Sequence, residues 1–245
     1  MSDEKYLKSL QLNKDITEKY YKKSLTKTYQ QLFLEQKILP ALIPNDFSPE
    51  VIADIACGGG TLAYHISKIF PDAKYILCDI NPEAIQIAKE INSHLKNVEW
   101  LIEDFINTSI QLNSVDIVFC MQTLLVISKP KNFVEKLIEI LKLGGFFILS
   151  SLFNTYHGVD LYIKVKDYTR KGRMVLQYNV FSTHTISKWL EGKVSFFHIE
   201  PFEMPADLTE IPKGLGSYTL KLEDGRRITI SGGILMNWGF LYGKK

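Results

Sequence analysis

V51-I-A-D-I-A-C-G-G-G-T61 is the stretch that decides how this chain is read. Residues 51–56 form a short apolar run suited to a buried strand, and three glycines follow it at once. Glycine lets the backbone turn sharply and lets a ligand approach without a Cβ in the way. Residues 61–69 then read as a helix that stops before Pro71, so the glycines lead into the free N–H groups of a helix start. Nucleotide-like ligands bind at such strand ends, where strand order reverses.

The same alternation continues downstream. Residues 74–78 read as a second strand. Asn81-Pro82-Glu83 is a strong helix start, with Asn as cap, Pro in the first turn and Glu at the positive helix end; that helix runs to about His94. Residues 97–102, 115–121 and 146–151 give three further strands. Between the last two, residues 133–143 carry an apolar face with helical spacing, and Gly144-Gly145 is expected to end that helix. Repeated strand–helix units predict a mostly parallel sheet covered by helices on both faces.

On the N-terminal side, the first 40 or so residues read as helix, with Leu25, Tyr29, Leu32 and Phe33 at helical spacing, until Pro40 and Pro44 break it. Beyond residue 151 the pattern changes. Residues 152–182 are rich in Tyr and Lys without a clean period. Residues 185–190 suggest a short helix, 194–199 a strand and 235–242 a last strand, while 218–222 and 226–230 flank E-D-G as a hairpin. The expected architecture is one α/β domain over residues 1–245. It has an N-terminal helical cap (1–44), a ligand-binding core (45–151) and an acceptor-side insert with the final strands (152–245). Its sheet has seven strands, strand one central and the late hairpin at one edge.

Composition narrows the function. A 46% hydrophobic, 23% charged chain is ordinary globular protein, and a net charge of +2 is too mild to point to nucleic acid or membrane. The most apolar stretch, 146–152, is too short to cross a bilayer, and M-S-D-E-K-Y carries no secretory signal. Cys57, Cys78 and Cys120 match neither a disulfide framework nor a zinc pattern, so no metal site is expected, and free thiols fit the cytoplasm.

Acids punctuate the strand ends. Asp79 closes the second strand, where a carboxylate accepts hydrogen bonds from ribose hydroxyls. Asp104, in I-E-D-F after the third, stands where an adenine amino group could be held, with Phe105 for stacking. Gly58, Gly60 and Ala63 also fit the dinucleotide fingerprint, which leaves an NAD-dependent oxidoreductase open. Three features favour S-adenosylmethionine (SAM). Asp54 lies inside the first strand end, Asp104 supplies a third acid, and the chain ends in a hairpin-like pair instead of another βαβ unit.

These residues resemble a family. D-I-A-C-G-G-G-T is similar to the first motif of class I SAM-dependent methyltransferases, Y-I-L-C-D to their second, and I-E-D-F to the acidic loop after strand three. V-D-I-V-F-C-M-Q-T-L-L resembles their strand four, and L-K-L-G-G-F-F-I-L-S their strand five with the helix before it. Ala56 departs from the pattern, standing where the family has glycine. The resemblance implies SAM as cofactor. It implies Asp54, Ala56 and Gly58 near its methionine part, with Gly60 completing the turn. Asp79 and Ile80 would hold the ribose and flank the adenine, and Asp104 and Phe105 would take the adenine. Cys120, Met121 and Gln122 would line the methyl-transfer end, with Leu125 below.

The implied reaction is in-line displacement of the sulfonium methyl, in which the protein supplies proximity, orientation and desolvation. The aromatics of 153–189 read either as the core of an inserted subdomain or as a lid; mild charge and such a lid point to a small-molecule acceptor. RNA or protein methylation and a silent SAM-binding regulator are the alternatives. A solvent-facing stripe of Lys164, Lys166, Arg170, Lys171 and Arg173 would favour RNA. His157 and Tyr156, after strand five, are the candidate general bases. His65 is expected at a surface or interface, and Tyr20 and Tyr21 either pack the N-terminal helix or close over the cofactor. Cys120 invites comparison with nucleophilic cysteines, but Phe119 stands where such enzymes have proline, which favours a small buried residue.

Overall fold

A computed structural model describes residues 25–156, 158–169, 174–209 and 216–245. The first strand, β1 (Val51–Ile55), pairs in parallel with β2 (Lys74–Asp79) on one side and β4 (Val115–Met121) on the other. β3 (Val98–Ile102) extends the sheet beyond β2, and β5 (Leu141–Asn154) extends it beyond β4. The order is completed antiparallel by β12 (Trp238–Lys244) and β8 (Phe196–Pro201), giving β3-β2-β1-β4-β5-β12-β8. The five parallel strands and the central place of β1 are as expected. The sheet holds nine strands instead of the seven expected, because β6 (Leu161–Asp167) and β7 (Met174–Ser182) form a hairpin joined to β5 through Phe153 and Asn154.

Each face of the sheet has its own core. On one lie α1, α2 (Thr61–Ile66) and Ala88 of α3 (Pro82–Ile91); α1 begins as Tyr29–Phe33 and runs on through a π-helical segment, Leu34–Ile38, into Leu39–Leu42. On the other lie α4 (Pro130–Ile140) and α5 (Thr183–Leu190), which bury Phe133, Leu137, Ile138, Ile186 and Leu190 against Ala53, Val118, Phe147 and Leu241. The period-2 alternation along β1, β4 and β5 sends successive side chains to opposite cores. Asn81 caps α3 as read, accepting from Glu83 N at 3.0 Å, with Pro82 in the first turn.

Four expectations are corrected. Residues 152–182 hold regular strands; β6 was obscured because its exposed face alternates Tyr162, Lys164 and Lys166 with half-buried Ile163 and Val165. The hairpin at 218–230 is not at the sheet edge; β9 (Ser217–Lys221), β10 (Arg227–Ser231) and β11 (Ile234–Leu235) form a separate three-stranded sheet, and β8 takes the edge. Gly144-Gly145 does not end a helix. α4 stops at Ile140, and the glycines lie inside β5, where the register against β4 shifts between Val115 and Ile117 and Gly144 takes φ 84°. α2 ends at Ile66, short of residue 69. Of the expected N-terminal cap, residues 1–24, with Tyr20 and Tyr21, lie outside the described residues, as do His157, Arg170, Lys171 and Arg173.

Candidate functional site

Strand order reverses between β1 and β4, so their C-terminal ends, with that of β2, open one crevice at the sheet edge. Asp54, Asp79 and Met121 all come from these ends. The chain leaves β1 through three left-handed residues: Ala56 at φ 56°, Gly58 at 53° and Gly60 at 73°. Cys57 N–H donates to Cys78 O at 3.1 Å, and Gly60 N–H donates to Cys57 O at 2.9 Å, which fixes the turn against β2. A Cβ on Gly60 would lie 2.5 Å from Asn92 Nδ2 and 2.9 Å from Ala88 Cβ. Gly60 is therefore demanded by packing against α3. Asn92 seals the contact, its amide donating to both Gly60 O and Ala88 O at 3.0 Å.

Asp79 couples the turn to the second βα unit. Its Oδ2 accepts from Gly58 N at 2.9 Å and its Oδ1 from Asn81 N at 2.8 Å. Burial raises its pKa, and those backbone donors act against the rise. Asp54 is more deeply placed, 3% exposed, and among the described residues its Oδ2 is buried without a hydrogen-bond partner. Burial first, and the nearby Asp79 charge second, push its pKa up to about 8. A buried carboxyl with an empty acceptor and a neighbouring acid is matched to a cationic, hydrogen-bonding ligand group.

The other expected residues are placed less uniformly. Ile80 is half-buried beside Asp79. Asp104 is half-buried and caps the short 3-10 turn Phe105–Asn107, its Oδ1 accepting from Ile106 N at 3.1 Å. Phe105 is a correction: it is 5% exposed and packs edge-on to Phe133 at 5.1 Å, so its ring belongs to the core and offers no open stacking face. Gln122 sits just past β4 at φ 56°, its N–H donating to Ser150 O and Oγ, and its Nε2 donates to Gln30 Oε1 at 2.5 Å. Gln30 and Ser150 carry no short-range sequence signal; only the fold brings them to β4.

Cys120 is 1% exposed and burial drives its thiol far above the ordinary range, which rules against a thiolate nucleophile. Burial does the same to Cys78. Among the described residues no group of three or more His, Cys, Asp or Glu side chains is placed to hold a metal ion. No described helix is long and apolar enough to cross a membrane. Tyr156 is exposed beyond β5, and the Asn154 side chain closes the loop that carries it, donating to Val159 O at 3.1 Å. His65 is 4% exposed, edge-on to Tyr64, and burial lowers its pKa; of the surface or interface positions expected for it, the exposed surface is excluded.

A doubly wound sheet, a glycine turn at its switch point and acids at successive strand ends define a Rossmann-like nucleoside-binding protein. The chain belongs to the class I SAM-dependent methyltransferases: the methyltransferase domain family matches residues 47–191. It is 29% identical over 155 residues to the mitochondrial ubiquinone biosynthesis O-methyltransferase of Schizosaccharomyces pombe, covering 60% of this chain and 52% of that protein. It is 33% identical over 119 residues to the human EEF1A lysine methyltransferase 2, covering 44% and 49%. The chain thus spans about half the length of each of these relatives. Its fold is similar to that of the YcgJ protein from Bacillus subtilis, with a TM-score of 0.60 at 15% identity, over 86% of this chain and 97% of that one. The family membership decides between the two cofactor readings of the glycine turn in favour of SAM.

Proposed function

We propose that this protein transfers the methyl group of SAM to a small-molecule acceptor. The observation that carries the reading is the unpartnered, buried Oδ2 of Asp54, set beside Asp79 and the glycine turn. The residues fit the cofactor. Asp54 offers an acceptor to the methionine ammonium. Asp79, held by the backbone N–H groups of Gly58 and Asn81, offers its carboxylate to a ribose hydroxyl. Ile80 supplies an apolar flank for the adenine, and Asp104 an acceptor at its amino edge. Ala56, Gly58 and Gly60 hold the backbone in the shape that brings these groups together. When bound, SAM supplies an electrophilic methyl on a sulfonium.

The chain's own contribution is then positional. Met121 and Gln122 form the wall at the methyl end, and the Gln30 side chain braces Gln122 from α1. Enclosing the reacting atoms excludes water and fixes the approach line of the acceptor. Tyr156, exposed beyond β5, is the candidate base on the acceptor side.

A small-molecule acceptor is favoured by the near-neutral charge of +2 and by the apolar space beyond β5. The test is turnover. Incubation of the full chain with methyl-labelled SAM and a fractionated cell extract is expected to label a species in the small-molecule fraction, with S-adenosylhomocysteine formed in equal amount. Label confined to protein or RNA would overturn the acceptor class, and no S-adenosylhomocysteine above background would overturn the activity.

A further inference from the structure

Beyond the end of β5 lies a cavity of about 810 Å³ that the cofactor site does not use. It is bounded by residues 153–156, the β6–β7 hairpin, residues 201–203 and the small β9–β11 sheet. We propose that this cavity receives the methyl acceptor, and that the acceptor is a neutral, largely apolar small molecule. The proposal rests on the SAM-dependent reading above and extends it to the substrate class.

Placement is the first argument. β5 runs parallel to β4, and β4 to β1, so the end of β5 lies on the same sheet edge as Asp54 and Met121. Trp238 lines the cavity and packs in the core cluster that includes Met121 as well as in the one that includes Leu125. The residue stands opposite Leu152, two positions along β5 from Ser150, the partner of Met121 at the end of strand four, where the resemblance puts the methyl group.

Chemistry is the second. Phe153, Ile163, Val180, Phe202, Ile228 and Met236 give the walls an apolar lining. The cationic groups at the rim are already matched: Arg226 Nε lies 2.7 Å from Asp224 Oδ2, and Arg227 Nε lies 2.6 Å from Asp207 Oδ1. Each arginine's charge is thus countered by its own carboxylate, so the rim carries no uncompensated cation to favour an anion. Glu203, two residues past β8, accepts from the backbone N–H of Arg227 at 2.7 Å, which engages this rim acid as well.

The mouth is the third. Leu161 on β6 and Leu235 on β11 line the cavity and remain 44% and 46% exposed. Apolar surface left open on two elements that line a cavity this size is the usual form of a small-molecule site, where a ligand covers it.

The experiment titrates the full chain with 2-naphthol, a neutral bicyclic aromatic probe, with and without saturating S-adenosylhomocysteine. Three variants accompany it: Leu161→Asp, Leu235→Asp, and the control Leu143→Asp. All three positions are exposed, Leu143 at 89% and at the opposite end of β5, so folding tolerates the changes. The expected result is saturable probe binding to wild type and control, weakened about tenfold or more in both cavity variants. S-adenosylhomocysteine affinity is expected to be unchanged in all four proteins. Absence of saturable probe binding to wild type, or wild-type probe affinity in either cavity variant, overturns the proposal and leaves the methyltransferase reading standing. Failure to bind S-adenosylhomocysteine overturns that reading instead, and the titrations without it still test the cavity.

Discussion

At the scale of single residues, the site turns on a carboxyl in an unfavourable place. Folding raises the pKa of Asp54 from 3.8 to about 8, chiefly by burial. The folded protein therefore holds a proton that the unfolded chain releases near pH 4, and stability falls as pH rises from about 4 to 8. Asp54→Asn removes that liability. Without cofactor it is expected to be more stable than wild type at pH 8, by on the order of 1–3 kcal/mol after the cost of burying the amide, with the gap closing toward pH 4. Thermal denaturation across that range checks it. The same variant is expected to bind SAM about 10–100-fold more weakly, the worth of a hydrogen bond between charged groups. A second prediction concerns Ala56, at φ 56° where the family has glycine. Ala56→Gly relieves the left-handed strain and is expected to add about 0.5–1 kcal/mol without loss of SAM affinity, whereas Gly60→Ala meets Asn92 and is expected to cost about 2 kcal/mol.

At the scale of elements, β12 is wedged between β5 and β8, and Gly243 makes the wedge possible. A Cβ there would lie 2.2 Å from Phe196 O and 2.7 Å from the Phe147 ring. Gly243→Ala is expected to displace β8 and to cost more than about 2 kcal/mol, read as a lowered melting temperature. The β6–β7 hairpin is held differently, paired with itself over seven positions but to β5 over only two. Its amides are expected to exchange with deuterium well before those of β1, β4 and β5, where the strands are buried on both faces; equal protection would contradict this description. The same contrast explains what could be read in advance. Each parallel βα unit announces itself, as in V51-I-A-D-I followed by glycines or the Asn81-Pro82 cap, because a strand buried on both faces must be continuously apolar. The hairpin does not, because its exposed face mixes Tyr162 with Lys164 and Lys166. Likewise Gly144-Gly145 resembled a helix end, because a bulge and a helix cap call for the same left-handed glycine.

At the scale of the molecule, local chemistry made half of the site legible. Asp54, Asp79 and the glycine turn stand within or beside strand ends that could be located from periodicity. Gln30 against Gln122, the burial of Phe105 and the meeting of Trp238 with both core clusters depend on elements far apart in the chain, and no spacing rule reaches them. The whole protein is expected to be stabilised by its cofactor, because the acids and the turn are complementary to SAM only when folded. At a SAM concentration about 100 times the dissociation constant, the gain is about 2.7 kcal/mol, or a rise of roughly 5–10 °C in melting temperature for a chain of this size.

Calorimetric titration of the full chain with SAM, run beside one with NADH, addresses the central claim most directly. One saturable SAM site per chain, with no comparable NADH binding, is the expected result. At pH 7 SAM binding should release up to about one proton as Asp54 ionises, a release that fades above pH 8 and is lost in Asp54→Asn. Tight binding of NADH with none of SAM would contradict the account.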